Sequence, residues 1–178
     1  SILASDHGID TVGTLTVTGE AVLDVRQAYE GIQASTIVVG TKNSSSNAPY
    51  ISVYTADDGI NAGNKSDDYS VIIEINNGDI TIKMGAGDTD GIDSNGNLYI
   101  NGGTINITGQ SAFDYDGKAE YNGGTLIVNG NVTNTITNQF MGGGQMGGQM
   151  GGPQGGTPPS DDGQGNTYGG QGGRGMRR

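Results

Sequence analysis

Two kinds of turn alternate along this chain at a nearly regular spacing. One is acidic and centred on glycine: residues 57–61 read Asp-Asp-Gly-Ile-Asn and residues 89–93 read Thr-Asp-Gly-Ile-Asp. The other is rich in asparagine and glycine, as in Asn-Gly-Gly-Thr at residues 101–104 and 122–125. The acidic-turn glycines stand 23, 28, 32 and 26 residues apart, at Gly8, Gly31, Gly59, Gly91 and Gly117. A period of this length predicts a repeat architecture in which each unit stacks on the next.

The segments between the turns alternate apolar and polar residues and are rich in β-branched side chains, which predicts strands. A coil of three short strands between two such turns predicts an all-β fold, a parallel β-solenoid of about five coils. A β-sandwich is the competing interpretation, but it needs hairpins at short spacing and no repeated turn chemistry. The alignment predicts three inward-facing ladders: Leu23, Ile51, Ile80, Ile105 and Leu126; Val25, Val53, Ile82, Ile107 and Val128; and Ile9, Ile32, Ile60 and Ile92.

The apolar residues divide the chain into two parts. All 34 Leu, Ile, Val and Phe residues lie within residues 1–140, which we interpret as the solenoid. Residues 141–178 form a low-complexity tail of Gly, Gln, Met and Pro that cannot build a core. Because the chain opens with Ser1-Ile2-Leu3, we expect it to be a processed piece of a longer precursor.

Composition disfavours several classes of function. The chain has no cysteine and a single histidine, His7, which excludes thiolate chemistry and disfavours a histidine metal cluster. Residues 1–140 carry 17 acidic residues against 5 basic ones, a charge balance that repels nucleic acid and anionic lipid. Because no apolar run is long enough to span a bilayer, we also expect no membrane insertion.

The acidic turns predict a cation site. In a solenoid, Asp58 would stack on Asp90, and Asp90 on Asp116, at ~4.8 Å. Two carboxylates at that distance repel by roughly 3 kcal/mol at an effective dielectric constant of ~20, and a calcium ion between coils would relieve this. The alternative is that the aspartates only form tight, solvated turns. The predicted ligands of calcium are Asp57, Asp58, Asn61, Asp88, Asp90, Asp93, Asp114 and Asp116.

These turns, with the Asn-Gly-Gly-Thr strands, resemble the carbohydrate-binding β-solenoid family of bacterial cell surfaces, known from cellulosome-bearing clostridia. The resemblance covers residues 1 to about 130, although Glu30 and Gln33 replace Asp and Asn in the second coil. It implies a right-handed parallel β-helix of the pectate-lyase type, with calcium bound by the turn aspartates. It also implies an extracellular or cell-surface location and binding of cellulose-like or acidic polysaccharide without established catalysis.

A stacked sheet can offer a sugar chain a long face with aromatic rings and polar groups. One outward column reads Arg26, Tyr54, Lys83, Thr108, Asn129 and a second reads Glu74, Tyr99, Glu120. We expect Arg26, Tyr54, Lys83 and Tyr99 to contact polysaccharide, although such residues also serve as ordinary cross-strand pairs.

Two other functions stay open. Unpaired strand edges at the solenoid ends would allow copies to stack head to tail into a filament. A calcium-dependent polysaccharide lyase would need a basic lysine, and Lys83 and Lys118 are the candidates. A lysine beside two carboxylates should have a raised pKa, which is the wrong direction for a base, so we expect no enzymatic activity.

Overall fold

The computed structural model describes residues 1–44, 46–86 and 89–138. This part of the chain is all-β, with seventeen short strands in three sheets and no helix, so it also contains no helix able to cross a membrane. The strands follow one another in the order sheet A, sheet B, sheet C and then return to sheet A one rung further along. This order produces a parallel β-solenoid of about five coils, as the repeat predicts.

Each coil contributes one strand to each sheet. Sheet A contains β1 (Ile2–Leu3), β4 (Val22–Ala28), β7 (Tyr50–Thr55), β10 (Asp79–Met84), β13 (Thr104–Thr108), β16 (Thr125–Val128) and β17 (Asn131–Thr133). Sheet B contains β2 (Ile9–Asp10), β5 (Ile32–Ala34), β8 (Ile60–Ala62), β11 (Asp90–Ser94) and β14 (Ser111–Tyr115). Sheet C contains β3 (Thr14–Val17), β6 (Thr36–Val39), β9 (Ile72–Ile75), β12 (Asn97–Ile100) and β15 (Ala119–Tyr121).

Strand pairing is parallel throughout the described residues except between β16 and β17, so the β-sandwich interpretation is wrong. The inward ladders have the predicted register. Phe113 continues the third ladder beyond Ile92 and is 2% exposed. Burial of these stacked aliphatic side chains is the main source of stability for a narrow core of this kind.

The acidic-turn glycines are required by close packing between neighbouring rungs. A Cβ atom on Gly8 would lie 2.7 Å from Val25 Cγ1 of the next coil. On Gly91 it would lie 2.5 Å from Ile107 Cγ2 and 2.9 Å from the carbonyl oxygen of Ala112. Since real Cβ atoms do not approach other heavy atoms so closely, a side chain here would push adjacent coils apart.

The fifth coil departs from the predicted alignment. Asp90 pairs with Ser111 and Asp93 with Asp114, so the equivalent of Gly91 is Ala112 and not Gly117. The prediction that Asp90 stacks on Asp116 is therefore wrong. The Asp116 N–H instead donates to the carbonyl oxygen of Ser94 (3.0 Å), at the corner between sheets B and C.

The last rung ends in a hairpin. Asn129 and Gly130 both have positive φ angles, 50° and 79°, and connect β16 to the antiparallel strand β17. Two such residues form the tight turn that fits the twist of a β-hairpin. Beyond it, Asn138 Nδ2 donates to the carbonyl oxygen of Tyr115 (2.6 Å), and Ile136 packs against the core. The predicted tail, residues 141–178, lies outside the described residues.

Candidate functional site

The predicted cation ligands lie mainly on one surface, the outer side of sheet B, which we call the acidic face. Its residues follow the inward isoleucine or phenylalanine of each rung and pair in the order Asp10, Gln33, Asn61, Asp93, Asp114. Asp58 and Asp90 each lie two residues before the inward isoleucine of their rung. The N–H of Asp90 donates to Asp58 Oδ1 (2.8 Å). The structure therefore stacks carboxylates and amides from successive coils as the repeat predicts.

Two carboxyl groups on the acidic face are strongly perturbed. The pKa of Asp93 is raised from 3.8 to about 7, mainly by burial and then by the charges of Asp58, Asp114, Asp90 and Asp116 in that order of size. The pKa of Asp58 is raised to about 6, mainly by burial, with the hydrogen bond from Asp90 opposing the shift and the charge of Asp57 adding to it. Ionising both groups at neutral pH is therefore costly unless a cation compensates.

Some oxygens of the face are already used within the protein. Ser111 Oγ donates to Asp90 Oδ1, and the N–H of Tyr115 donates to Asp114 Oδ1 (2.8 Å). Asp116 lies at the next corner, and Asp88 lies outside the described residues.

The neutral side-chain oxygens near the acidic face indicate whether it fits a cation. Asn61 Oδ1 and Thr89 Oγ1 are buried and have no hydrogen-bond partner, and their residues are only 9% and 3% exposed. Calcium accepts a mixture of carboxylate and neutral oxygen ligands, so an orphaned amide oxygen beside Asp93 fits it. Within the described ranges, no three histidine or carboxylate side chains form a ready metal group, so the neutral oxygens would have to complete the set.

The predicted glycan residues divide between two faces. Lys83 pairs with Tyr54 and with Thr108 on the outer side of sheet A, which we call the sugar face. The ammonium group of Lys83 lies 5.7 Å from the centre of the Tyr54 ring, a cation–π distance. Tyr99 lies instead on sheet C, between Glu74 and Glu120, as its separate column predicts.

Arg26 occupies an irregular position on the sugar face. The β4–β7 register shifts between Val25 and Ala28, so Arg26 and Gln27 share the space opposite Tyr54. Arg26 Nε donates to Asp24 Oδ2 (2.8 Å), and this hydrogen bond raises the pKa of the guanidinium. The charge of Arg26 is therefore compensated within its own strand.

Sequence reasoning missed a slot beside Tyr54. A cavity of about 330 Å³ at the corner between sheets A and B is lined by Tyr29 and Tyr54 together with small residues such as Ala28, Ala56 and Gly85. Both tyrosines are about half exposed, and the hydrogen bond to Asp57 raises the pKa of Tyr29. Tyr29 directly precedes Glu30-Gly31, so its position in a turn motif concealed its role beside the sheet.

The two lysines considered as candidate bases lie in polar or charged surroundings. Lys118 is exposed, and its hydrogen bond to Glu120, followed by the charge of Glu120, raises its pKa. Lys83 lies on the outer side of sheet A, with its ammonium nitrogen over the Tyr54 ring. Neither position resembles the apolar surroundings that produce a lysine base.

No protein-family model, curated protein or solved structure matches this chain.

Proposed function

We propose that this protein is a non-catalytic polysaccharide-binding β-solenoid of the cell surface or extracellular space, stabilised by calcium. The observation that carries the proposal is the slot between Tyr29 and Tyr54, with Lys83 beside Tyr54 on a parallel sheet. Sugar rings stack on exposed aromatic faces, and the outer side of the sheet extends the contact along a chain.

The rest of the sugar face provides polar contacts. Ser52, Thr81 and Asn106 form one outward column, and Lys83 and Thr108 belong to the next. Hydroxyl and amide groups donate to and accept from sugar hydroxyls. Lys83 would bind the carboxylate of an acidic sugar, because Arg26 is already paired with Asp24. The surface therefore suits a polysaccharide that is cellulose-like or that carries uronate groups.

Calcium would bind at the acidic face through Asp58, Asp93, Asn61 and neighbouring carboxylates. When bound, it supplies positive charge that permits stacked carboxylates to stay ionised. The role of the protein is to bring one ligand from each of several coils to the same surface. The support is the buried, unpartnered Asn61 oxygen beside two carboxyl groups with raised pKa values.

Binding can be tested by pull-down with cellulose and by affinity electrophoresis in polygalacturonate, using wild type, Tyr54→Ala and Tyr50→Ala. The Tyr50 variant is a matched control, since Tyr50 is equally exposed on the same strand but ~13 Å away. Tyr54→Ala should weaken binding by roughly tenfold or more, as expected for loss of an aromatic anchor. Equal binding by all three proteins, or no binding by wild type, would reject the proposed function.

The contribution of the Lys83 charge to polysaccharide binding can be tested separately, with a second lysine as control. Lys83→Gln should weaken binding of polygalacturonate more than binding of cellulose, because only the former carries carboxylates. Lys118→Gln removes a lysine that directly precedes β15 of sheet C, away from sheet A, and should change neither. If both lysine variants reduce polygalacturonate binding equally, the effect is one of net charge and not of this site.

The geometry favours this function over a head-to-tail filament. The edge of sheet A at the last rung is the antiparallel strand β17, whereas the opposite edge is β1, which pairs in parallel. These two edges do not reproduce the parallel pairing that links the coils inside the molecule. Electron micrographs of purified protein should therefore contain discrete particles, while long rods would favour the filament.

A further inference from the structure

A second surface has the construction of a binding site. In the third, fourth and fifth coils the corner from sheet C to sheet A takes three residues, but in the second coil it takes residues 40–49. Four described residues of this longer connection, Lys42, Asn43, Ser44 and Ala48, line one side of a cavity of about 660 Å³, the asparagine groove. Long loops among otherwise short turns are commonly functional.

A buried amide fastens the wall of the groove. Asn77 is 7% exposed, and its Nδ2 donates to the carbonyl oxygen of Ser44 (2.7 Å). Its Oδ1 accepts from the N–H of Thr41 (3.3 Å). Asn43 and Asn47 hold left-handed conformations, with φ angles of 59° and 56°. The described part of the loop is thus tied to the solenoid before any ligand arrives.

The floor of the groove is a ladder of three amides. Asn122 Nδ2 donates to Asn101 Oδ1, and Asn101 Nδ2 donates to Asn76 Oδ1, both at 2.9 Å. Gly102 lets neighbouring rungs of the floor pack closely, because a Cβ on it would lie 2.6 Å from the carbonyl oxygen of Asn76. The ladder spans two rung spacings, ~10 Å, so a ligand can contact backbone and amides of several coils at once.

The chemistry of the lining selects the class of ligand. Lys42 is the one charged residue among the described residues that line the groove, and its Nζ lies 3.6 Å from Glu74 Oε1. An anion would find little uncompensated positive charge, and an apolar ligand would leave the polar lining unmatched. The ladder uses amide N–H groups as donors to neighbouring amide oxygens, but an amide oxygen can accept a second hydrogen bond, which suits the hydroxyl donors of a sugar.

We propose that the asparagine groove binds a neutral carbohydrate segment, independently of the sugar face on sheet A. The groove makes its contacts through amides and backbone, without an aromatic platform. The molecule would then hold two glycan segments at once, on separate sides of the solenoid. This inference does not need the Tyr29–Tyr54 slot to function.

The test is a calorimetric and NMR titration of the full chain with cellotetraose, in which the amide signals of Asn76, Asn101 and Asn122 report on the groove and those of Tyr29 and Tyr54 report on the sugar face. Asn122→Ala should weaken the binding that the groove signals report by roughly tenfold, because it removes an exposed amide from the end of the ladder. Ala48→Trp should abolish the response of the groove signals by filling the groove, and it leaves the ladder hydrogen bonds untouched. The matched control is Asn95→Ala, an exposed asparagine outside the groove, which should bind as wild type does.

Far-UV circular dichroism and melting temperature establish that each variant is folded. Polygalacturonate should leave the groove signals unchanged, and Tyr54→Ala should keep their full response to cellotetraose while weakening that of the sugar face. Absence of a groove response in wild type at millimolar cellotetraose overturns the groove proposal, as does an unchanged groove response in Ala48→Trp. If the groove signals of wild type do not respond but Tyr54→Ala still weakens binding at the sugar face, this inference alone is overturned and the proposed function of sheet A stands.

Discussion

Asp93 is the residue at which the charge of the acidic face can be tested most sharply. Burial and neighbouring carboxylates raise its pKa from 3.8 to about 7. In a dry site this difference would correspond to about 4 kcal/mol, and partial contact with solvent reduces the expected effect to about 2 kcal/mol. Asp93→Asn removes the carboxylate while keeping its size, so the metal-free variant should be more stable than wild type at pH 8.

The direction of the pH dependence follows from the linkage between proton binding and folding. Because the folded-state pKa of Asp93 is raised, the folded state binds more protons than the unfolded state between pH ~4 and ~7. Wild-type stability without metal should therefore fall as the pH rises through that interval, with a parallel contribution from Asp58, whose pKa is about 6. Asp93→Asn should flatten the fall, and its advantage over wild type should disappear near pH 4.

Urea and thermal unfolding in chelator, followed by circular dichroism at pH 4 and pH 8, measure these differences. About 2 kcal/mol corresponds to roughly 5 to 10 °C in Tm for a domain of this size. Added calcium should raise the Tm of wild type at pH 8 more than that of Asp93→Asn, which reverses their order. Asp67→Asn, an exposed loop substitution, should change stability by less than about 0.5 kcal/mol.

Two outcomes would refute this reasoning separately. If Asp93→Asn is less stable than wild type in chelator at pH 8, the carboxylate is not under electrostatic strain. If calcium stabilises both proteins equally, Asp93 is not a ligand, and the alternative of solvated turns is favoured.

Packing predictions accompany the electrostatic one. Gly59→Ala should lower the free energy of unfolding by about 1 to 3 kcal/mol, because the new Cβ would overlap Ile82 Cγ2 and lie 2.6 Å from the carbonyl oxygen of Gly91. Gly63→Ala has no contact closer than 3.5 Å, and a urea titration should find it near wild type; equal losses would contradict the rung-packing argument. Phe113→Ala should cost about 3 to 5 kcal/mol in the same assay, because it empties the inward ladder at the last complete coil. Val132→Ala, at a residue 76% exposed, should cost under about 0.5 kcal/mol, and a larger loss would mean that β17 is covered in solution.

The fold could be predicted from sequence because two periods occur together along the chain. Apolar and polar residues alternate with a period of two, which identifies strands. The longer repeat of one coil places Ile51, Ile80 and Ile105 on one ladder. The alignment failed at the fifth acidic turn because Asp116-Gly117 matches the sequence motif of the earlier turns. The residues that align with Asp90-Gly91 in the structure are Ser111-Ala112. Alanine is tolerated there because Val128, on the last sheet A rung, is only partly buried.

Other features depend on three-dimensional packing. The Asn129-Gly130 hairpin carried a recognisable turn signal that the repeat obscured. The slot at Tyr29 and the wall of the asparagine groove had no such signal. The slot lies next to the register shift in β4, and the groove wall is made by Lys42, Asn43, Ser44 and Ala48 of the connection between β6 and β7. The acidic face was predictable in composition, while the burial that perturbs Asp58 and Asp93 was not.

The most direct test of the central claim is an NMR titration of isotope-labelled protein with a galacturonate oligosaccharide in the presence of calcium. Binding at the sugar face should perturb the amide signals of β4, β7 and β10, above all at Tyr29, Tyr54 and Lys83, and leave those of β12 and β15 unchanged. Perturbations confined to sheet C, or none at saturating oligosaccharide, would contradict the assignment of glycan binding to this surface.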